Sequence, residues 1–285
     1  MEVHRRLDIL RSLCLENGVK IKWKELKSAP NLAGQIKETS MTNISYKYRP
    51  DSIYDKLLPY CEKNEDKEYI QFHKIRFSYI LEQVESLLIP GARVASIGLS
   101  IFDILMQEIA LQHSVEYNLL VPSNKFMKSF GRSYDTLNIR LCDVTSTISN
   151  WDNFKYDIVL FYEVLEHLPA SDELIISNLS KLLRKKGILL GSVPNVSRAT
   201  NRFAGLTGRN IYWKKSMIID GVYGGFGHLR EYTFLEMTEL LSHDFVIRSM
   251  GGLNPYNYQM KYVRTILNVL PMRWRDIILF EAEKK

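Results

Sequence analysis

Apolar residues recur at a near-helical period across 68–88, where Tyr69, Phe72, Phe77, Ile80, Leu81, Val84, Leu87 and Leu88 form one face. Pro90-Gly91 stops that pattern. From residue 93 the chain changes to short apolar runs at 93–97, 115–121, 137–141, 156–162 and 187–193. Helix-like stretches lie between most of them, such as 102–111 and 172–183. Such alternation predicts parallel crossovers and a doubly wound α/β sheet. Two further runs, 245–250 and 276–282, bring the count to seven strands, without a convincing helix wholly between them. Thr233-x-x-Glu236 ahead of an apolar stripe reads as a capping box that opens a helix before Phe245. A ligand of such a sheet belongs at the carboxyl ends of the strands, near the point where strand order reverses.

The first part of the chain has a different character. Leu7, Ile9, Leu10, Leu13 and Leu15 cluster ahead of Asn17-Gly18, a plausible helix stop. The stretch 28–50 is polar, with two prolines, and reads as a connector or mobile cover. The expected division is a helical N-terminal extension or cover over 1–67 and an α/β domain over 68–285. An insertion at about 196–230, rich in Gly, Asn and aromatic residues, interrupts that domain.

Composition excludes several classes. With 46% hydrophobic and 25% charged residues over 285 positions, the chain is ordinary globular material. No run approaches the roughly 18 apolar residues of a membrane span. The opening MEVHRRLDIL lacks the plan of a secretory signal, so a cytoplasmic location is expected. Cys14, Cys61 and Cys142 are far apart with no CxxC, which argues against a disulfide framework or structural zinc. The net charge of +6 is spread along the chain with no basic run, so no nucleic-acid partner is expected. The segment 261–275 is basic and amphipathic. It reads as a packed helix with snorkelling cations or as a weak peripheral membrane contact.

The most informative stretch is Tyr156-Asp-Ile-Val-Leu-Phe-Tyr162 followed by Glu163-Val-Leu-Glu-His-Leu168. After about 15 residues comes Leu182-Leu-Arg-Lys-Lys-Gly-Ile-Leu-Leu-Gly-Ser-Val-Pro-Asn195. This pair, in this order and spacing, resembles the class I S-adenosylmethionine-dependent methyltransferases. Asn195-Val-Ser-Arg198, Gly208-Arg-Asn-Ile-Tyr212 and Gly227-His-Leu-Arg-Glu-Tyr-Thr233 are similar to a subgroup with a PN…GH-REYT signature. The resemblance covers roughly residues 70–285.

The resemblance implies a doubly wound, seven-stranded, mostly parallel sheet and S-adenosylmethionine as cofactor. It implies cofactor contacts at Gly98, Leu99 and Ser100 in the turn after the first strand. Val121 and Pro122 follow at the end of the second strand, Cys142, Asp143 and Val144 after the third, and Tyr162 and Glu163 at the end of the fourth. Asp143 would receive the adenine amino group, the alternative being a turn or cap acid. Glu163 would lie beneath the sulfonium, or else simply start a helix. Two departures stand out. Ser100 and Phe102 occupy two of the family's glycine positions, and Val121 occupies the place of the acid that accepts the ribose diol.

An activated sulfonium leaves the enzyme to align an acceptor and, for an oxygen acceptor, to remove a proton. His228 and His167 are the candidates, against structural roles in fixing a loop and a post-strand turn. Arg230 and Glu231 read as a local ion pair or as acceptor-binding groups. The subgroup implies O-methylation of a glycan-like, lipid-linked or natural-product small-molecule acceptor, with 196–230 on the acceptor side. The competing reading is an inactive methyltransferase fold kept as a binding or assembly partner. A nicotinamide dehydrogenase is disfavoured, because it needs a fuller glycine fingerprint and a ribose acid. No spacing of Asp and His implies a metal, and the oligomeric state is not legible.

Overall fold

The computed structural model describes residues 48–129, 136–146, 155–212, 227–256 and 269–285, and the side chains of 127–129 are not among those described. Most of the expected N-terminal extension, including the apolar cluster near residues 7–15, lies outside the described residues. So do 213–226 of the expected insertion and 261–268 of the basic amphipathic segment.

Among the described residues two α-helices precede the sheet, α1 (Pro50–Leu57) and α2 (Asn64–Glu85). The helix expected over 68–88 therefore begins earlier. Asp66 explains the start: its Oδ2 accepts from the backbone N–H groups of Glu62 and Lys63, each at 3.0 Å, tying down the chain just ahead of the first turn. The boundary expected at 67/68 runs through α2. Ile53 and Leu57 of α1 pack in the same apolar cluster as Ile70, Phe77, Leu81 and Val84 of α2.

Beyond them the chain alternates: β1 (Arg93–Ile97), α3 (Phe102–Gln112), β2 (Glu116–Val121), α4 (Asn124–Ser129), β3 (Ile139–Leu141), β4 (Tyr156–Tyr162), α5 (Asp172–Leu182) and β5 (Leu183–Pro194). Then follow α6 (Ala199–Leu206), α7 (Phe234–Ser242), β6 (Phe245–Leu253) and β7 (Ile277–Lys284). The seven strands form one sheet in the order β3-β2-β1-β4-β5-β7-β6. All neighbouring pairs are parallel except those of β7, which runs antiparallel to both β5 and β6. Central strands covered on both faces read as continuous apolar runs, which is the pattern of Ile158-Val-Leu-Phe161 in β4. Parallel β5 and β4 are bridged by α5, whose Ile175, Ile176 and Leu179 are buried.

The capping box at Thr233 is formed as the sequence implies. Its Oγ1 accepts from the Glu236 N–H at 3.2 Å and Glu236 Oε2 accepts from the Thr233 N–H at 2.8 Å. Asn195 and Tyr232, both from the PN…GH-REYT signature, lie at the two ends of the expected insertion and pair with each other in an isolated parallel bridge. The Asn195 amide donates to the carbonyls of Arg273 and Arg275. Tyr232 donates its N–H to Pro194 O and its hydroxyl to Asp172. The order of strands reverses between β1 and β4, and the loops at the carboxyl ends of these two strands frame the site.

Candidate active site

The turn after β1 is built by one glycine and one buried acid. Gly98 has φ +104°, and an added Cβ would meet Val164 Cγ2 at 3.3 Å, so the position favours glycine on both counts. The Ser100 N–H donates to Asp103 Oδ2 at 2.7 Å, and the Phe102 N–H to Ser100 Oγ at 3.2 Å. Buried Asp103 also accepts from the Tyr117 hydroxyl at 2.6 Å, while burial pushes its carboxyl above the usual range. A self-capped turn thus stands where Ser100 and Phe102 replace two glycines of the resembled family. Phe102 does not plug the space above it, because its ring lies stacked on Phe77, with centroids 4.6 Å apart and planes 6° apart.

On the outer side of the turn lie the ends of β2 and β3. Pro122, Cys142, Asp143 and Val144 line the cavity there. Asp143 Oδ1 accepts from both the N–H and the hydroxyl of Thr145, at 2.9 and 2.6 Å. These bonds hold the carboxylate in an Asx turn and leave its second oxygen outside them. Val121 does not join this wall. It is fully buried and packs with Leu119 and Leu137, while Leu120, the neighbour of opposite parity, reaches the cavity. The cofactor contact expected at Val121 is therefore corrected: the strand's alternation gives that place to Leu120 and Pro122.

At the end of β4, Glu163 has φ +55°, an uncommon left-handed conformation for a residue with a side chain. Strain of this kind concentrates at functional sites. Its carboxylate accepts from Ser192 Oγ at 2.7 Å and lies 3.4 Å from Arg76 Nη1. Tyr162 donates its hydroxyl to Gln83 at 3.0 Å, which ties β4 to α2.

Arg76, from α2, was not among the residues the sequence singled out. It is buried, lines the cavity, and its Nε makes no hydrogen bond among the described residues. Its neighbours Tyr69, His73 and Tyr256 complete an aromatic wall. Burial holds the His73 imidazole neutral, with a pKa pushed down to about 2.

The far end of the cavity brings together two segments 61 residues apart. Glu166 and His167 lie in a 3-10 turn (Leu165–His167) after β4. The Leu229 N–H donates to Glu166 O at 2.7 Å and sews the late segment onto that turn. The rings of His167 and His228 meet edge to face with centroids 5.1 Å apart. His228 Nδ1 lies 3.1 Å from Glu231 Oε1, and Arg198 donates to the other oxygen of Glu231 at 2.8 Å. His167 Nδ1 lies 3.3 Å from Gly227 O, and its Nε2 3.8 Å from Glu166 Oε1. Arg230 points elsewhere, to Asp172 and Glu236, so the local pair expected between Arg230 and Glu231 is not formed.

Glu166 is buried, and neither of its carboxylate oxygens has a hydrogen-bond partner among the described residues. Burial, then the nearby Glu163, raises its carboxyl well above the usual range. The sequence implied no metal, yet Glu166, His167 and His228 offer ligand atoms within 4.8 Å of one another. Linear spacing hid the group, since the crossover through β5 and α6 is what joins its halves.

All these walls enclose one cavity of about 820 Å³. Gly98, Leu99, Ser100, Tyr162, Glu163, His167 and His228 line it together with the β2–β3 rim and the α2 wall. The volume lies within the about 300–1,000 Å³ of small-molecule and cofactor sites. Among the described residues no helix is long and apolar enough to cross a membrane.

No protein-family model matches the chain, and no curated protein matches it. Solved structures do. A Haloferax volcanii chain from a complex between the Trm112 methyltransferase activator and a methyltransferase superposes with a TM-score of 0.50 at 9% identity, covering 81% of this chain and 97% of that one. The N-methyltransferase NodS from Bradyrhizobium japonicum, in complex with S-adenosyl-l-homocysteine, gives 0.43 at 14% identity over 81% and 98%. An S-adenosylmethionine-dependent methyltransferase from Mesorhizobium loti gives 0.48 at 14% identity over 73% and 98%. With its strand order and the antiparallel β7, the chain has the class I methyltransferase fold.

Proposed function

We propose that the protein is an S-adenosylmethionine-dependent methyltransferase that methylates an oxygen of a small acceptor. The observation that carries this reading is the pairing of a buried, incompletely bonded Arg76 with Glu163 on the cavity wall. A guanidinium and a carboxylate side by side match a zwitterionic amino-acid tail, whose carboxylate would go to Arg76 and whose ammonium would go to Glu163. Asp143, held by Thr145, would accept from the adenine amino group. When bound, the cofactor supplies a methyl group on a sulfonium, already activated for displacement.

What remains for the protein is to place the acceptor and take its proton. His228 suits that task. Glu231 fixes one ring nitrogen, Arg198 fixes Glu231, and the ring lines the cavity beside His167. The subgroup motifs favour a hydroxylated acceptor of glycan-like, lipid-linked or natural-product type, admitted past 196–230.

A second reading has its own support. The ribose side offers Leu120 and Pro122 where a carboxylate would accept two hydrogen bonds, and the Ser100 amide is already taken by Asp103. A fold retained for binding or assembly would tolerate both. Native mass spectrometry of the freshly purified protein separates the two readings. Co-purified S-adenosylmethionine or its demethylated product is the expected result. A chain that carries neither, even after incubation with the donor, favours the binding partner.

A further inference from the structure

We propose that Glu166, His167 and His228 form a binding site for one divalent cation of the zinc–manganese class. Three observations converge. Their ligand atoms lie within 4.8 Å of one another. Around a tetrahedral ion with bonds of about 2.0–2.2 Å, ligands sit about 3.3–3.6 Å apart, so small side-chain rotations close the set. Glu166 is the second, independent sign. It is a carboxylate whose side chain has no exposure, which lines the cavity, and whose two oxygens lack hydrogen bonds among the described residues. Such a group is costly to bury without a proton or a cation.

The third sign is how the imidazoles are held. His228 Nδ1 is set against the Glu231 carboxylate and His167 Nδ1 against the Gly227 carbonyl. An oxygen at one ring nitrogen is the usual support for a histidine that ligates through the other. His167 presents that other nitrogen, Nε2, to Glu166 at 3.8 Å. Two imidazoles and one carboxylate suit zinc, cobalt, manganese or ferrous iron rather than calcium or magnesium.

The consequence for chemistry rests on the methyltransferase reading, whereas the site itself does not. A cation here would take an acceptor hydroxyl as a further ligand and lower its pKa, as zinc lowers that of water to about 7. The O–H bond breaks, the proton leaves to solvent, and the electron pair stays on the metal-bound oxygen. His228 then serves as a ligand, and the cation replaces it as the proton-withdrawing group.

The full-length protein, stripped with a chelator, is titrated with Co²⁺ as a spectroscopic probe. The expected result is visible absorption that saturates at one equivalent per chain and is abolished by Zn²⁺. Glu166→Gln and His228→Asn should remove that absorption, and Glu231→Gln should weaken binding about 10- to 100-fold. Metal-free Glu166→Gln should melt above the metal-free parent, since it removes a buried carboxylate, so its failure to bind is not unfolding. No saturable absorption by the folded parent, or unchanged affinity in Glu166→Gln, overturns the site. Donor binding measured on the same preparations keeps the claims apart. Donor binding without Co²⁺ uptake sinks the metal site alone, and stoichiometric uptake without donor binding sinks the methyltransferase reading alone.

Discussion

Replacing His228 by Asn lowers methyl transfer about 100- to 10,000-fold while donor affinity stays at the parent value. Asparagine keeps a polar group opposite Glu231, so the Arg198–Glu231 pair and the fastening of 227–232 onto Glu166 survive. What is lost is a nitrogen able to take a proton or hold a cation on the acceptor side of the cavity. Transfer of labelled methyl from the donor to a panel of sugar and phenol hydroxyls measures turnover, and calorimetry measures donor binding. A turnover loss below about tenfold would assign His228 to loop support, the role in which its bond to Glu231 is the whole of its contribution.

Arg76→Met produces the opposite split, a loss of donor binding of about 100-fold, as expected for deleting a charge-assisted contact of about 1.5–3 kcal/mol. It also lowers stability, because Glu163 stays behind with its ion-pair partner gone. Breaking a buried pair from one side costs about 3–5 kcal/mol. The double variant Arg76→Met with Glu163→Gln separates the two effects. It should regain much of the stability, since both charges are gone, yet still bind the donor poorly. Recovery of donor binding along with stability would mean that the pair only braces α2 against β4.

Much of this was legible in the chain because the central strands announce themselves. The middle of β4, Ile158-Val-Leu-Phe161, is buried on both faces, so its apolar run is unbroken there, and the crossovers on either side show helical spacing. Asp143 and Glu163 could be placed on the cavity wall from the sequence because they follow the ends of β3 and β4, where residue and register are coupled.

The misses have physical causes. Val121 turned on a parity of one residue: the pleat sends Leu120 to the cavity and Val121 into the packing with Leu119 and Leu137. The turn after β1 looked eroded when judged by glycines alone. It is instead rebuilt by Asp103, whose role depends on Tyr117 from the neighbouring strand. Arg76 did leave a trace, an arginine four residues after Phe72 and four before Ile80 on an otherwise apolar helical face. Its pairing with Glu163 spans 87 positions in sequence and no local pattern reports it. Glu166 gave no sign, since its isolation arises only when 227–232 closes over the turn after β4.

The central claim is that the hollow above β1 and β4 holds a zwitterionic sulfonium nucleoside despite its apolar ribose side. Isothermal titration of the full-length protein with S-adenosylmethionine tests it most directly. A single saturable site per chain with a micromolar dissociation constant is expected, competed by S-adenosylhomocysteine. A folded protein that releases no heat and shows no thermal shift at millimolar donor would contradict the claim, leaving the fold in place and the cofactor assignment void.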